Sequence, residues 1–332
     1  MNGEFIFWLV IKSIAIVFIA IFFGLLFKGI DRKIVARMQA RVGPPIRQPF
    51  LDVIKLMSKE NIVPKHAIRW LFNAAPLICL VSSIMLLLYI PMGNFNAILE
   101  GHGDLILILY LFTIPSIAMV AGGFASSSPY ATVGAQREVV TMISYELPLA
   151  VVIIGIAWKL GSGNVFSMAY IASHPIWQNV GILGFIGAIL LLIAMMIVAP
   201  GELAKIPFDV AEAETEIAGG LTVEYSGRNL AMFYIADGIK MFAFASLIVA
   251  LFFPFGIASY IGLHDLFAAI VDFLFYLLKV FLVMFFSITL IRAGAARYRI
   301  TQVVTGYWVT ITLVALIGLV LLMWDSHMAR WW

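Results

Sequence analysis

The sequence predicts an all-α, polytopic membrane protein: a bundle of eight transmembrane helices with both termini on the non-cytoplasmic side. Three observations carry this expectation. Hydrophobic residues make up 63% and charged residues 12% of the 332-residue chain, with a mean hydropathy of +1.05. Soluble domains carry roughly 25% charged residues, so half that share points to lipid as the solvent. Apolar runs recur at the length a membrane demands, and basic residues collect on alternate loops. One integral-membrane domain covering residues 1–332 accounts for the whole chain.

A helix rising 1.5 Å per residue needs about 20 apolar residues to cross the hydrocarbon. The first qualifying run, 5–27, is preceded by Glu4 rather than by a basic stretch and ends at Phe27-Lys28 with no small-residue cleavage pattern, so it reads as a retained span and not a signal peptide. The others are roughly 70–91, 104–123, 138–158, 180–200, 229–253, 266–291 and 303–324. A membrane barrel is rejected because its alternating pattern is missing.

Positive charge orients the bundle. The segment 28–69 holds ten Lys or Arg residues, and Arg137, Lys205, Arg228, Arg292, Arg297 and Arg299 fall on the same side. Only Lys159 and Arg330 fall on the other, while Lys12, Lys240 and Lys279 lie within spans. The basic side is taken as cytoplasmic, in a multi-pass protein of the cell membrane.

Two cytoplasmic segments carry most of the information. Segment 28–69 starts as an Arg-rich helix, breaks at Gly43-Pro44-Pro45, and resumes with Phe50, Val53, Ile54 and Met57 on one helical face. It reads either as an interfacial helix on lipid phosphates or as a docking surface with Asp52 aimed into a site. Segment 201–228 holds six acids: Glu202, Asp209, Glu212, Glu214, Glu216 and Glu224. Asp209, Glu212 and Glu216 would stack on one face of a helix, where mutual repulsion raises at least one carboxyl toward neutrality. A solvated acidic loop is the plain alternative, but the interspersed Ile217, Ala218, Leu221 and Val223 suggest packing inside protein.

Charges also fall inside the spans, where an unpaired ion costs several kcal/mol. Asp237 and Lys240 stand one turn apart in the sixth span, and Asp272 and Lys279 two turns apart in the seventh; simple neutralising contacts between helices would explain both. Glu146, two turns after Glu138 and beside Pro148, has no basic partner on its own helix. It suits a proton relay, since proline frees a backbone carbonyl that can hold water or a proton. One cysteine, Cys79, excludes a disulfide framework and a multi-cysteine cluster within this chain. Nucleophile elbows and phosphate loops are missing, as is the internal repeat of many secondary transporters.

Taken together, several segments resemble the family of the H-type membrane subunit of respiratory complex I. They are Arg37-Met38-Gln39-Ala40-Arg41-Val42-Gly43-Pro44, Gln48-Pro49 with Asp52-Val53-Ile54-Lys55-Leu56, Ser144-Tyr145-Glu146, Pro207-Phe208-Asp209 with Glu212-Ala213-Glu214, Glu224-Tyr225-Ser226-Gly227, and Ala296-Arg297-Tyr298-Arg299. The shortened Gly43–Pro49 run, Glu202-Leu203-Ala204-Lys205-Ile206 and Arg137-Glu138 look closest to the branch of membrane-bound nickel–iron hydrogenases and their sulfur-reducing relative.

The resemblance implies a non-catalytic membrane anchor in an ion-pumping, ferredoxin-linked redox complex, most simply a membrane-bound hydrogenase. The alternatives it leaves are the quinone-site subunit of NADH-quinone oxidoreductase and the equivalent subunit of a membrane-bound sulfur reductase. It implies no cofactor in this chain, with iron–sulfur clusters and a nickel–iron centre in partner subunits. Those partners would be a hydrogenase-like catalytic subunit, an iron–sulfur subunit and antiporter-like membrane subunits, and no nucleic acid. Carried over, Asp52, Glu138, Glu146, Glu202, Asp209, Glu212, Glu214, Glu216 and Glu224 are the proton-path candidates, and Arg37, Arg41 and Arg47 hold the peripheral arm.

Overall fold

A computed structural model describes residues 3–93, 95–161, 164–178, 180–261 and 265–328; Arg330, one of the two basic residues assigned to the non-cytoplasmic side, lies outside them. Among the described residues, eight helices are long and apolar enough to cross a membrane. In chain order the helices are α1 (Gly3–Met38), the short α2 (Gln48–Met57), α3 (Arg69–Tyr89), α4 (Asp104–Ala125), α5 (Pro129–Leu160), the short α6 (Met168–Ser173) and α7 (Ile182–Glu202). After the acidic segment, which contains the single turn α8 (Glu214–Ile217), come α9 (Gly227–Phe252) and the turn α10 (Ala258–Ile261). The seventh span joins α11 (Asp265–Met284) to α12 (Leu290–Gly294) through a π-turn at Phe285–Thr289, and the eighth joins α13 (Ile300–Thr305) to α14 (Thr312–Met328) through one at Gly306–Ile311.

All eight runs become helices, because a backbone in lipid must satisfy its own hydrogen bonds. Two run well beyond the apolar stretch. α1 continues from the expected end at 27 to Met38, and α5 starts at Pro129 rather than near 138. The extra turns are less apolar, so hydropathy does not see them, and those of α1 wall the site described below. Proline at the start of α5 fits a first-turn position whose N–H has no intrahelical partner.

The bundle is organised around α9, whose best apolar window is 94% buried, against 22% for α1. Small residues allow the close approach this needs. A Cβ built on Gly24 of α1 would lie 2.8 Å from the Ile239 nitrogen of α9, and one on Gly238 would lie 3.1 Å from the Gly24 oxygen. Aromatic rings fill the same interface, with Phe23 and Phe27 stacked on Phe242.

The charges of the seventh span are structural rather than mutually neutralising. The chain breaks after α9, and Lys279 donates to the carbonyls of Phe253 and Phe255, both at 2.7 Å. Asp272 accepts from the backbone N–H groups of Ile257 and Ala258, at 2.8 and 2.9 Å. One helix thus satisfies both sides of a chain break, which lipid could not do. The neutralising contacts between helices expected of Asp272 and Lys279 are replaced by these backbone contacts.

The amphipathic face expected on α2 is divided. Phe50 and Val53 turn inward, Phe50 to within 5.8 Å of the Phe22 ring. Ile54 and Met57 are 65% and 55% exposed, because α2 lies along the bundle's edge with only one flank against it.

Candidate functional site

Where α1, α7 and α9 meet the acidic segment, the bundle encloses a cavity of about 560 Å³. Its walls carry seven carboxylates (Asp31, Glu138, Glu202, Asp209, Glu212, Glu214, Asp237) and six cations (Lys28, Arg32, Lys205, Lys240, Arg292, Arg297). Charge at this density, at the end of a lipid-solvated bundle, is tolerable only if the groups pair or hold water.

The pairs run across helices. Asp237 of α9 lies 2.7 Å from Lys28 of α1 and 2.7 Å from Lys205, three residues past the end of α7. Lys28 also donates to the Tyr234 carbonyl at 3.0 Å and sits 3.4 Å above the Tyr234 ring centroid. Lys240, one turn after Asp237, turns instead to Glu202, the last residue of α7, at 2.8 Å, and donates to Ser116 of α4 at 3.1 Å. Asp237 and Lys240 thus do not pair with one another, and three ion pairs between elements neutralise them, which is the inter-helix neutralisation expected of these charges. The Glu202 side chain is 0% exposed. Neither of its oxygens has a geometrically sound hydrogen bond within the described residues, the Lys240 ammonium lying close but off the bonding direction.

Glu138 of α5 is buried on the same wall, with Ser116, Thr141 and Lys240 as its polar neighbours. Asp31 of α1 is 1% exposed and accepts from Thr289 at 2.8 Å and from Arg292 at 2.5 Å. Thr289 closes the π-turn of the seventh span, a distortion that often marks function.

The acidic segment is not the continuous helix that would stack Asp209, Glu212 and Glu216. It folds as a 3₁₀ turn at Val210–Glu212, an extended Ala213, α8, and a second 3₁₀ turn at Gly220–Thr222. Gly220, at φ +51°, doubles the segment back so closely that a Cβ would collide with the Ala211 carbonyl. The three acids consequently part. Asp209 takes a two-pronged contact from Arg297, at 2.9 and 2.6 Å. Glu216 takes Arg137 at 2.6 Å on the exposed rim. Glu212 alone of the three faces the cavity without such a partner, and its carboxyl is pushed up to about 7, first by burial and then by the neighbouring Asp237, against the pull of Lys205. The expected shift toward neutrality falls on Glu212, with burial rather than crowding as its main cause. The Arg297 guanidinium is held above its usual range, chiefly by the hydrogen bonds to Asp209.

Seven of the expected residues therefore share one cavity: Glu138, Glu202, Asp209, Glu212, Glu214, Asp237 and Lys240. Asp52 stands one contact away. It accepts from Gln48 at 2.9 Å, Arg32 at 3.1 Å and the Tyr234 hydroxyl at 3.3 Å, and the last two line the cavity. Glu146 is half-buried on α5 between the exposed Ile143 and Leu147, off the cavity wall. Glu216 and Glu224 are likewise off the wall, and Asp272 and Lys279 serve the chain break already described. Arg37, in the last turn of α1, and Arg41 and Arg47, between α1 and α2, are all exposed, and the Arg41 guanidinium meets the Gln39 side chain.

Sequence reasoning misses Lys28, Asp31, Arg32, Lys205, Arg292 and Arg297 as wall residues. The first three stand at i, i+3 and i+4, which places them on one face of a continued helix. That spacing is the available signal, hidden because the apolar run of α1 ends at 27.

Comparison with known proteins adds to this geometry. A family profile described as NADH dehydrogenase matches residues 11–323. The H-type subunit of the NADH-quinone oxidoreductase of Brevibacillus brevis is 32% identical over 320 residues, 95% of this chain and 92% of the relative. That of Geobacillus kaustophilus is 32% identical over 318 residues, 93% and 90% of the two chains. Among solved structures, a chain of the membrane-bound sulfane sulfur reductase, an archaeal respiratory membrane complex, superposes with a TM-score of 0.82 at 30% identity, over 95% of this chain and 99% of that one.

Proposed function

Since this chain belongs to the NADH dehydrogenase family and matches its H-type membrane subunit over nearly its whole length, we propose that it is the proton-handling membrane subunit of a complex I-like respiratory complex. The observation that carries this reading is the cavity. Thirteen acidic and basic side chains face one another there, five of them, Asp31, Glu202, Glu138, Lys28 and Lys240, almost wholly buried. Such a wall can accept, hold and pass protons through water, and among the described residues no group of His, Cys, Asp or Glu is placed to hold a metal ion.

The named relatives are quinone-linked or sulfur-reducing. They favour these two readings over the hydrogenase and ferredoxin linkage suggested by the loop sequences. The electron acceptor is chosen in a neighbouring subunit, and this chain couples that chemistry to ion movement. Exposed Arg37, Arg41 and Arg47, at the end of α1 and on the segment that follows it, suit docking of a peripheral arm. The basic side is cytoplasmic on this reading, with both termini opposite.

The test is to purify the native complex by a tag on this chain and reconstitute it in vesicles. NADH and reduced ferredoxin are offered in turn as donors, and a quinone, polysulfide and protons as acceptors. Ion uptake driven by any of these couples supports the coupling role, and the couple that works names the complex. Redox turnover without ion uptake, in sealed vesicles, refutes it.

A further inference from the structure

The two buried glutamates of the cavity share one cation. Lys240, 7% exposed, lies 2.8 Å from Glu202 Oε1 and donates to Ser116 Oγ at 3.1 Å. Ser116 in turn reaches the Glu138 carboxylate and lies 3.3 Å from the Tyr145 hydroxyl. Glu202 and Glu138 are 2% and 5% exposed. The other titratable groups near enough to act on this cluster are Cys79 of α3, Tyr145 and Glu146 of α5, Tyr307 of the eighth span and Glu212 of the acidic segment. Asp237, one turn earlier on α9, is already committed to Lys28 and Lys205.

Charge counting then decides the state of the cluster. One ammonium and two carboxylates leave one negative charge in excess, in a setting where an uncompensated ion is costly. The cluster is neutral when the two carboxyl groups hold one proton between them. The ammonium can then favour only one of them as the ionised member, because a carboxylate beside it is stabilised and the other keeps the proton. In the structure that member is Glu202. No hydrogen bond holds it beside that ion pair, and Ser116 already links the ammonium to the Glu138 side.

We infer that Lys240 is a positioning residue of the proton path, a lysine shared between Glu202 and Glu138 whose side of contact sets which of them carries the single proton. When Lys240 moves from Glu202 toward Glu138, the Glu138 carboxyl releases its proton and the Glu202 carboxylate takes one up. Lys240 keeps its three protons throughout, and no electron is transferred. The inference rests on the proton-handling function proposed above, and it adds a moving part whose motion a redox-linked shift of the acidic segment or of α9 could drive.

The test uses the intact complex in vesicles and in films for redox-difference infrared spectroscopy. Wild-type complex should show paired gain and loss of carboxylic C=O stretches on reduction. Glu138→Gln and Glu202→Gln should each remove one member of that pair. Lys240→Met should abolish the exchange and drive the number of ions moved per electron toward zero, while Lys240→Arg should retain both. If Lys240→Met fails to assemble, the double variant Lys240→Met/Glu202→Gln removes one charge of each sign and restores neutral packing. It should assemble yet stay uncoupled. Recovery of ion movement in the double variant, or persistence of the carboxyl exchange in Lys240→Met, overturns the inference. Failure of the underlying reading is distinguishable, because the wild-type complex itself would then move no ions.

Discussion

Lys240 lies 2.8 Å from Glu202, across the bundle, rather than on Asp237 one turn before it on the same helix. Asp237 answers with its own cross-helix contact to Lys205, which follows Glu202 by three residues. Two acid–base steps of one turn, Glu202-to-Lys205 and Asp237-to-Lys240, thus pair as rungs, with the order of the charges matched so that each acid meets a base. The rungs tie the end of α7 to the middle of the central helix, and Lys28 ties α1 to the same point.

Asp237 is the node that balances two lysines, so Asp237→Asn leaves Lys28 and Lys205 facing each other uncompensated. Removing one partner of a buried ion pair costs about 3–5 kcal/mol, and the low end applies because the Asp237 side chain is 30% exposed to the cavity. The expected outcome is a fall of several degrees in the thermal unfolding midpoint in detergent. Asp237→Asn combined with Lys205→Met should recover much of it. An unchanged midpoint in the single variant would show that cavity water already screens the node.

The carboxyl of Glu212 is pushed up to about 7 from its ordinary 4.5. A folded-state value above the unfolded one means that the folded protein binds the proton more tightly. This contribution to stability is therefore complete below about 4.5 and is lost as pH rises through about 7. The midpoint of wild-type protein should decline across that window, and Glu212→Gln, which mimics the protonated form, should flatten the decline. Parallel pH curves for the two proteins would remove Glu212 from consideration.

Much of the fold is legible in the sequence because lipid enforces one rule, about twenty apolar residues per helix, and all eight spans obey it. Glu138, Glu202 and Lys240 are legible as sites for a related reason: an ionisable residue at an apolar place must have a purpose. Hydropathy fails where helices leave the hydrocarbon. The last turns of α1 are polar, so Lys28, Asp31 and Arg32 read only as loop charge, although the helix carries them into the cavity. Partners are illegible for a different reason. Helical spacing identifies neighbours on one helix, but it cannot say that Lys205 and Lys28 outcompete Lys240 for Asp237. The break at Ala213, which sends Asp209 and Glu216 to arginines, is likewise set by long-range pairing rather than by local propensity.

Lys279 illustrates an intramembrane charge with a purely structural task. Its ammonium satisfies two carbonyls at the end of α9. Lys279→Met should orphan both, at about 1–3 kcal/mol for the part-buried Phe253 acceptor and little for the exposed Phe255 one, and lower the yield of assembled protein. The ratio of ions to electrons in what does assemble should match wild type. A changed ratio would bring this end of the bundle into the ion path.

Gly24 and Gly238 let α1 and α9 touch through their backbones. Gly24→Val would place its Cβ 2.8 Å from the Ile239 nitrogen, and backbone cannot yield as a flexible side chain can. Overpacking of this kind costs about 1–3 kcal/mol. Because Lys28 lies one turn further along α1, the displacement should also lengthen its contact with Asp237. The expected result is a lower unfolding midpoint together with faster labelling of Cys79, buried on the cavity wall, by a small thiol reagent. Unchanged labelling would mean that α1 shifts without opening the cavity.

The carboxylates themselves can be ranked by where they stand. Glu202 is fully buried on the cavity wall with neither oxygen well bonded, whereas Glu224 belongs to the same acidic segment yet lies off that wall. If proximity in sequence to the family's acidic motif decides function, Glu202→Gln and Glu224→Gln should impair coupling alike. If the cavity decides it, Glu202→Gln should bring the ratio of ions to electrons close to zero while Glu224→Gln leaves it near wild type. Glu146 separates the two views further. It is the acid that the sequence singles out most strongly, but it is only half-buried and faces out between Ile143 and Leu147. A mid-span carboxylate facing lipid would be costly, so its effect should depend on the neighbouring membrane subunit. Glu146→Gln should lower the ratio in the complete complex, and removal of whichever membrane subunit cross-linking finds on α5 should erase the difference between Glu146→Gln and wild type. A persistent difference would place Glu146 on a path internal to this chain.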